Sequence, residues 1–166
     1  MKMDKNHSTN SPAEFAYRGA GVLVELHEQE MNRFFQTWEA AKDSGAKLPA
    51  VDEPDYESFE TLLRHVLRWS RGYMRWICKQ LELPDPGIDP VPETDAIQSE
   101  ASVYLRGLLD AWKKPLRDVD QDRIFKGEYT APWGVTYSIE AMLEHAVMHP
   151  ARHRFQLEQL IDRQRG

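Results

Sequence analysis

Three of the six histidines in this chain, His145, His149 and His153, recur at every fourth residue near the C-terminus. Residues four apart on a helix share a face, so this spacing stacks three imidazoles on successive turns. Projected at about 100° per residue, His153 falls within the apolar stripe of the segment and His149 at its edge. His145 lies farther out on the same side, with Gln156 nearby. A single inward histidine is more often a hydrogen-bonded core residue than a ligand. Three in succession shift that balance, because each buried imidazole needs a polar partner and such partners are scarce in a hydrocarbon core. The chemistry this pattern points to is metal binding.

A metal needs ligands from more than one direction, and one helix provides only one wall of a coordination sphere. His65 supplies a second direction from the edge of another apolar stripe. Neutral imidazoles bind Zn, Ni, Fe or Cu, and three of them leave positions open for water or substrate, as in catalytic rather than structural sites. Pro150 sits inside the histidine segment, where it removes one backbone hydrogen bond at a usual cost of about 3 kcal/mol. Such a violation is expected beside a functional site, and it is also tolerated as a plain kink. The pattern H-E-x-x-H is absent, since Ala146 follows His145, so zincin-type peptide hydrolysis is disfavoured. Glu30 and His27, on the inward side of the first helix, are the acid-base or extra-ligand candidates, although Glu30 also has the simpler reading of a surface residue. Cys78 lies away from the His65 edge and reads as a core or partly buried thiol.

The elements that must position these groups are helices. Ser11-Pro12 offers an N-cap followed by proline at the first helical position. Phe15, Leu23, Leu26, His27, Glu30, Phe34 and Trp38 then trace a helix closed by Asp43-Ser44-Gly45. Gly19 and Gly21 weaken it locally or admit another segment closely. After a connector through Pro49 and Pro54, the residues Phe59, Leu62, Leu63, Val66, Leu67, Ser70, Met74, Ile77 and Leu81 form a second stripe, ended by Pro84-Asp85-Pro86-Gly87. Arg64, Arg68, Arg71 and Arg75 fall opposite that stripe and read as a solvated face rather than an anion site, whereas His65, Trp69 and Trp76 line one edge.

A third helix carries Ile97, Ala101, Tyr104, Leu105, Leu108, Leu109 and Trp112 to about Val119, with Pro115 kinking its last turns. Residues 120–137 read as an aromatic loop with a short extended pair, of the kind that often borders a site. Ser138 caps the last helix. Four helices of about 25 residues each and no convincing strand predict an all-α four-helix bundle. Residues 1–10 are expected to be a flexible tail and residues 11–166 one domain.

Composition narrows the function. A balance of 21 basic against 27 acidic residues, net −6, argues against a general nucleic-acid footprint. The lone Cys78 makes no internal disulfide or thiolate zinc site, which favours a reduced cytoplasm. No signal-peptide core or membrane span is visible, so a soluble cytoplasmic protein is expected.

Two stretches carry a family resemblance over nearly the full length: Leu62-Leu63-Arg64-His65-Val66, and Glu144 through Leu157 with its three histidines and Pro150. The chain resembles the DinB/YfiT-like superfamily of metal-dependent enzymes. The resemblance implies a four-helix bundle, often dimeric, with a divalent metal held by His65, His149 and His153. His145 then takes a supporting or substrate-side role, although His145 with His149 has the same spacing as the assigned pair. Some relatives of this kind are thiol S-transferases that use low-molecular-weight thiols, and one branch is a maleylpyruvate isomerase. A homodimer is expected on the same ground, with Trp69 and Trp76 as edge aromatics. The leading expectation is thus a metal-dependent enzyme, with Zn or Ni activating a thiol or water toward a small-molecule substrate, and with Glu30 and His145 as catalytic candidates. The alternative is a non-catalytic metal-binding stress-response bundle.

Overall fold

A computed structural model describes residues 12–165; the expected tail and the Ser11 cap lie outside the described residues. The chain is all-α apart from one small hairpin. Its helices are α1 (Arg18–Asp43), α2 (Phe59–Gln80), α3 (Ile97–Trp112), α4 (Gln121–Phe125) and α5 (Ile139–Arg165), with strands β1 (Tyr129–Thr130) and β2 (Thr136–Tyr137) before the last. No helix among the described residues is long and apolar enough to cross a membrane.

Contacts between side chains give the directions of the long helices. Trp38 Nε1 donates to the Phe59 carbonyl and His27 pairs with Ser70, so α2 runs antiparallel to α1. Lys42 binds Gln98 while Lys113 binds Glu28, so α3 also runs against α1. Tyr17 reaches Glu140 and Glu30 reaches Arg154, so α5 runs parallel to α1. The order is up, down, down, up. α5 therefore lies antiparallel to α2, which sets the second histidine-bearing helix against the first.

The buried face of α1 repeats at three and four residues through Val24, His27, Met31, Phe34, Trp38 and Ala41, the spacing that puts one stripe against the core. It meets Leu62, Leu63, Leu67, Met74 and Ile77 of α2 and Leu108 and Trp112 of α3, all essentially inaccessible. Helix α1 begins later than Pro12. Residues Pro12–Glu14 form a separate 3-10 turn, and the Ala16 N–H donates to the Arg117 carbonyl at 2.7 Å, which diverts the chain before α1 starts. Gly21 permits this fold-back, since a Cβ there would lie 2.8 Å from Pro12 Cα and from the Phe15 ring.

Helix α3 is shorter than its apolar pattern suggests. It stops at Trp112, because Pro115 lacks an N–H and its ring would clash with the carbonyl one turn back. Leu116 and Val119 remain buried in the turns that follow, which is why the apolar spacing outlasts the helix. The aromatic loop resolves into α4, capped by Asp120 accepting from the Arg123 N–H, and a hairpin in which Tyr129 pairs with Tyr137 and Thr130 with Thr136. Gly134, at φ +86°, makes its turn. Ser138 Oγ accepts from the Ala141 N–H at 3.1 Å and opens α5, which continues through Pro150 to Arg165.

Helix α2 starts at a reciprocal capping box. Ser58 Oγ accepts from the Thr61 N–H, and Thr61 Oγ1 accepts from the Ser58 N–H. Replacing Ser58 by Ala should lower stability by about 1 kcal/mol, read as a shift in urea midpoint at constant m-value.

Candidate metal centre

The antiparallel pairing of α2 and α5 brings His65, His149 and His153 together. Each offers one ring nitrogen, and these atoms lie within 4.8 Å of one another. His65 Nε2 and His149 Nε2 are 3.0 Å apart, about the spacing of two nitrogens bound at roughly 2.1 Å to one ion and subtending a right angle. His149 and His153 are buried, at 7% and 3% exposure, and His65 is half-buried. The i, i+4 spacing on α5 sets two rings 4.8 Å apart between centroids, and His65 lies 5.0 and 5.2 Å from them.

The outer nitrogens of two of the rings face polar groups, and that of His149 does not. His153 Nδ1 lies 3.0 Å from Gln156 Oε1 and 3.1 Å from the Tyr56 hydroxyl, which itself donates to Gln156 Oε1. An acceptor at that position keeps the hydrogen on Nδ1 and leaves the Nε2 lone pair facing inward. Nε2 of His153 is buried and has no partner. The Asp55 carboxylate lies 2.8 Å from His65 Nδ1, off the N–H axis, so it acts as a charge partner rather than an aligned hydrogen bond. It favours the same tautomer. With the lone pair of His65 Nε2 turned inward, only His149 can donate between that pair, and His149 Nδ1 is then a buried acceptor without a partner. A cation among the three inner nitrogens would take the His153 Nε2 lone pair that protein groups leave unmet, with His149 then carrying its hydrogen on Nδ1, so the donor set fits a divalent metal.

The electrostatics keep the set neutral. Burial, followed by the neighbouring His153, His65 and Arg152, pushes His149 down to about 2. Burial and the same kind of neighbours push His153 down to about 4. His65 is lowered by burial and partly restored by Asp55. Neutral imidazoles are the ligating form.

Tyr56 and Asp55 were not visible as site residues in the sequence. They occupy a 3-10 turn, Pro54–Tyr56, in a connector without periodicity. The expected aromatic loop does border the site. Trp133, at the hairpin turn, stacks on His145 at 5.8 Å and meets Trp69 edge-on at 5.5 Å, and Tyr73 packs against both His145 and His149. Trp69 and Trp76 are half-buried against aromatics of this chain rather than forming an open edge.

The other candidates lie outside the converging nitrogens. His145 is half-buried one turn from His149 in the aromatic wall, and burial then Arg152 lower its pKa. Glu30 has both oxygens engaged, one by Arg33 at 2.9 Å and the other by Arg154 at 3.1 Å, so it serves as an ion-pair anchor between α1 and α5. His27 is inaccessible, stacks on Trp112 at 3.7 Å and bonds Ser70 Oγ at 2.9 Å, which makes it a core residue. Cys78 is buried, and burial pushes its thiol up to about 11, out of reach of thiolate chemistry.

His27 gives the fold an acid sensitivity separate from the three clustered histidines. Burial pushes its pKa from 6.5 down to about 3. Between those values the unfolded chain binds a proton that the folded chain does not, so stability is full above pH 6.5 and falls as the pH drops toward 3. His27→Phe keeps a ring on Trp112, abolishes this titration and leaves Ser70 unpaired, at a cost of about 1–3 kcal/mol at pH 7.5. Its stability gap to the wild type should narrow between pH 6.5 and pH 4, measured by urea unfolding of the metal-free proteins.

The chain matches no protein-family model, no curated protein and no solved structure.

Proposed function

We propose that this protein is a metal-dependent enzyme of the DinB/YfiT-like type, a four-helix bundle in which His65, His149 and His153 hold Zn or Ni. The observation that carries the reading is the convergence of three neutral imidazole nitrogens from two helices, with His153 Nε2 buried and unpartnered. The reaction class that suits an imidazole-only set is activation of a low-molecular-weight thiol or of water toward a small-molecule substrate. A divalent ion held there would supply Lewis acidity, lowering the pKa of a thiol or water beside it.

The chain's own groups have distinct tasks in this proposal. Asp55 orients His65, and Tyr56 with Gln156 orients His153, so that the ring nitrogens face a common point. His145 shares an open groove with His149. Its lowered pKa keeps it neutral near pH 7 and free to accept the proton that a nucleophile sheds. Trp69, Tyr73 and Trp133 form an aromatic wall on that side. Glu30 and His145, the two groups that would close the coordination set into a structural site, are outside it, which favours a catalytic over a purely structural metal.

Protein purified without a histidine tag should carry about one divalent ion per chain by elemental analysis, and His153→Ala should abolish stoichiometric uptake. Asp55→Ala leaves the three ligands in place and should weaken zinc binding by about 10–100-fold, measured by competition with a chromophoric chelator. Metal-free wild-type protein with no measurable zinc affinity would sink the proposal. Loss of zinc from His153→Ala together with loss of activity in a thiol-conjugation and hydrolysis screen supports the catalytic form of it.

A further inference from the structure

His149 and His145 open onto a groove of about 380 Å³ on the outer side of α5, within the size range of small-molecule sites. Arg152 lines the same groove, between Met148 and Phe155, whose side chains are 60% and 54% exposed. Arg152 has no hydrogen bond or ion pair among the described residues. The sequence shows why. Its helical neighbours at three and four residues are His149, Phe155, Met148 and Gln156, and none carries a negative charge. Arg154, two residues on, is neutralised by Glu30 and Glu158; Arg68, whose charge also acts on His65, has no ion pair among the described residues but does not line the groove.

The Arg152 charge reaches the site, lowering His65, His145, His149 and His153. Leaving a cation unpaired beside three imidazoles works against protonated histidines, and in a chain of net charge −6 acidic side chains were available to cancel it. An unpaired guanidinium is a fork that matches a carboxylate bidentately. The exposed thioether and phenyl ring on either side of it offer apolar surface to the body of the same ligand.

We propose that this groove binds the substrate as an organic carboxylate with an apolar body, its charge held by Arg152 and its body lying along Met148 and Phe155. This inference rests on the metal-centre reading, since it names the substrate class of that site. It makes Arg152 a specificity-determining residue and assigns charge selection to the protein rather than to the metal alone.

Benzoate is the probe, with benzyl alcohol as a neutral counterpart of the same body and acetate as the charge without it. Binding to the full chain is followed by calorimetry and tryptophan fluorescence, in zinc-loaded and chelator-treated protein. Benzoate should bind about tenfold or more tighter than either control. Arg152→Met should weaken it by about tenfold or more in both states while leaving zinc content unchanged, and Arg152→Lys should retain part of the binding. Arg68→Met removes another exposed charge that does not line the groove, and should change benzoate binding by less than about twofold. Equal binding of benzoate by Arg152→Met and wild type overturns the inference, as does a loss in Arg68→Met as large as that in Arg152→Met. Such a result with stoichiometric zinc leaves the metal reading standing. Absence of zinc uptake in every protein fails the metal reading instead, and the chelator-treated arm still reports on Arg152.

Discussion

Three imidazoles share a small volume between α2 and α5, and the surrounding interior is hydrocarbon. Each ring brings two nitrogens that lose water on folding, at a cost of about 1–3 kcal/mol for any left unpaired. The local structure meets that cost at His153 Nδ1 with hydrogen bonds and at His65 Nδ1 with a nearby carboxylate, and leaves His149 Nδ1 without a partner. The capping box at Ser58 fixes where α2 begins, and the 3-10 turn just before it carries Asp55 toward His65 and Tyr56 toward His153. One short connector thus orients histidines on two different helices.

The direction of the helices decides what the histidines meet. Because α5 runs antiparallel to α2, the row of residues at His145, His149 and His153 meets Tyr73 and then His65, in reverse chain order. His153 and His149 therefore converge with His65, and His145 is carried into the aromatic end, under Trp133. The hairpin closes this end because Gly134 accepts a positive φ and lets Trp133 fold back over the wall. The site grades from buried histidines, through an aromatic flank, to an open groove along the outer side of α5.

Charge follows the same division. Glu30 and Arg154 tie α1 to α5 where both are poorly accessible, so their value lies in fixing the register of two parallel helices as well as in their attraction. Arg152, two residues earlier, is turned outward and left unmatched. Arginines two residues apart on one helix thus take opposite roles, because two steps of about 100° point them to nearly opposite sides.

The sequence by itself determined what is local. Helical periodicity showed in the stripes of α1, α2 and α5, and the four-residue spacing of His149 and His153 placed both on one face, since each depends only on residues a turn apart. The late start of α1 and the early stop of α3 escaped that reading. The Arg117 carbonyl that diverts Ala16, and the buried turns that carry Leu116 and Val119 beyond the helix, are set by packing rather than by pattern. Tertiary structure alone decided the parts of the site that join distant segments. Tyr56 meets His153 across 97 residues, and Glu30 is claimed by Arg154 across 124. His27 is absorbed by Ser70 and Trp112. Partners so far apart leave no periodic trace, because a side chain's role then depends on which helix packs beside it and in which direction that helix runs.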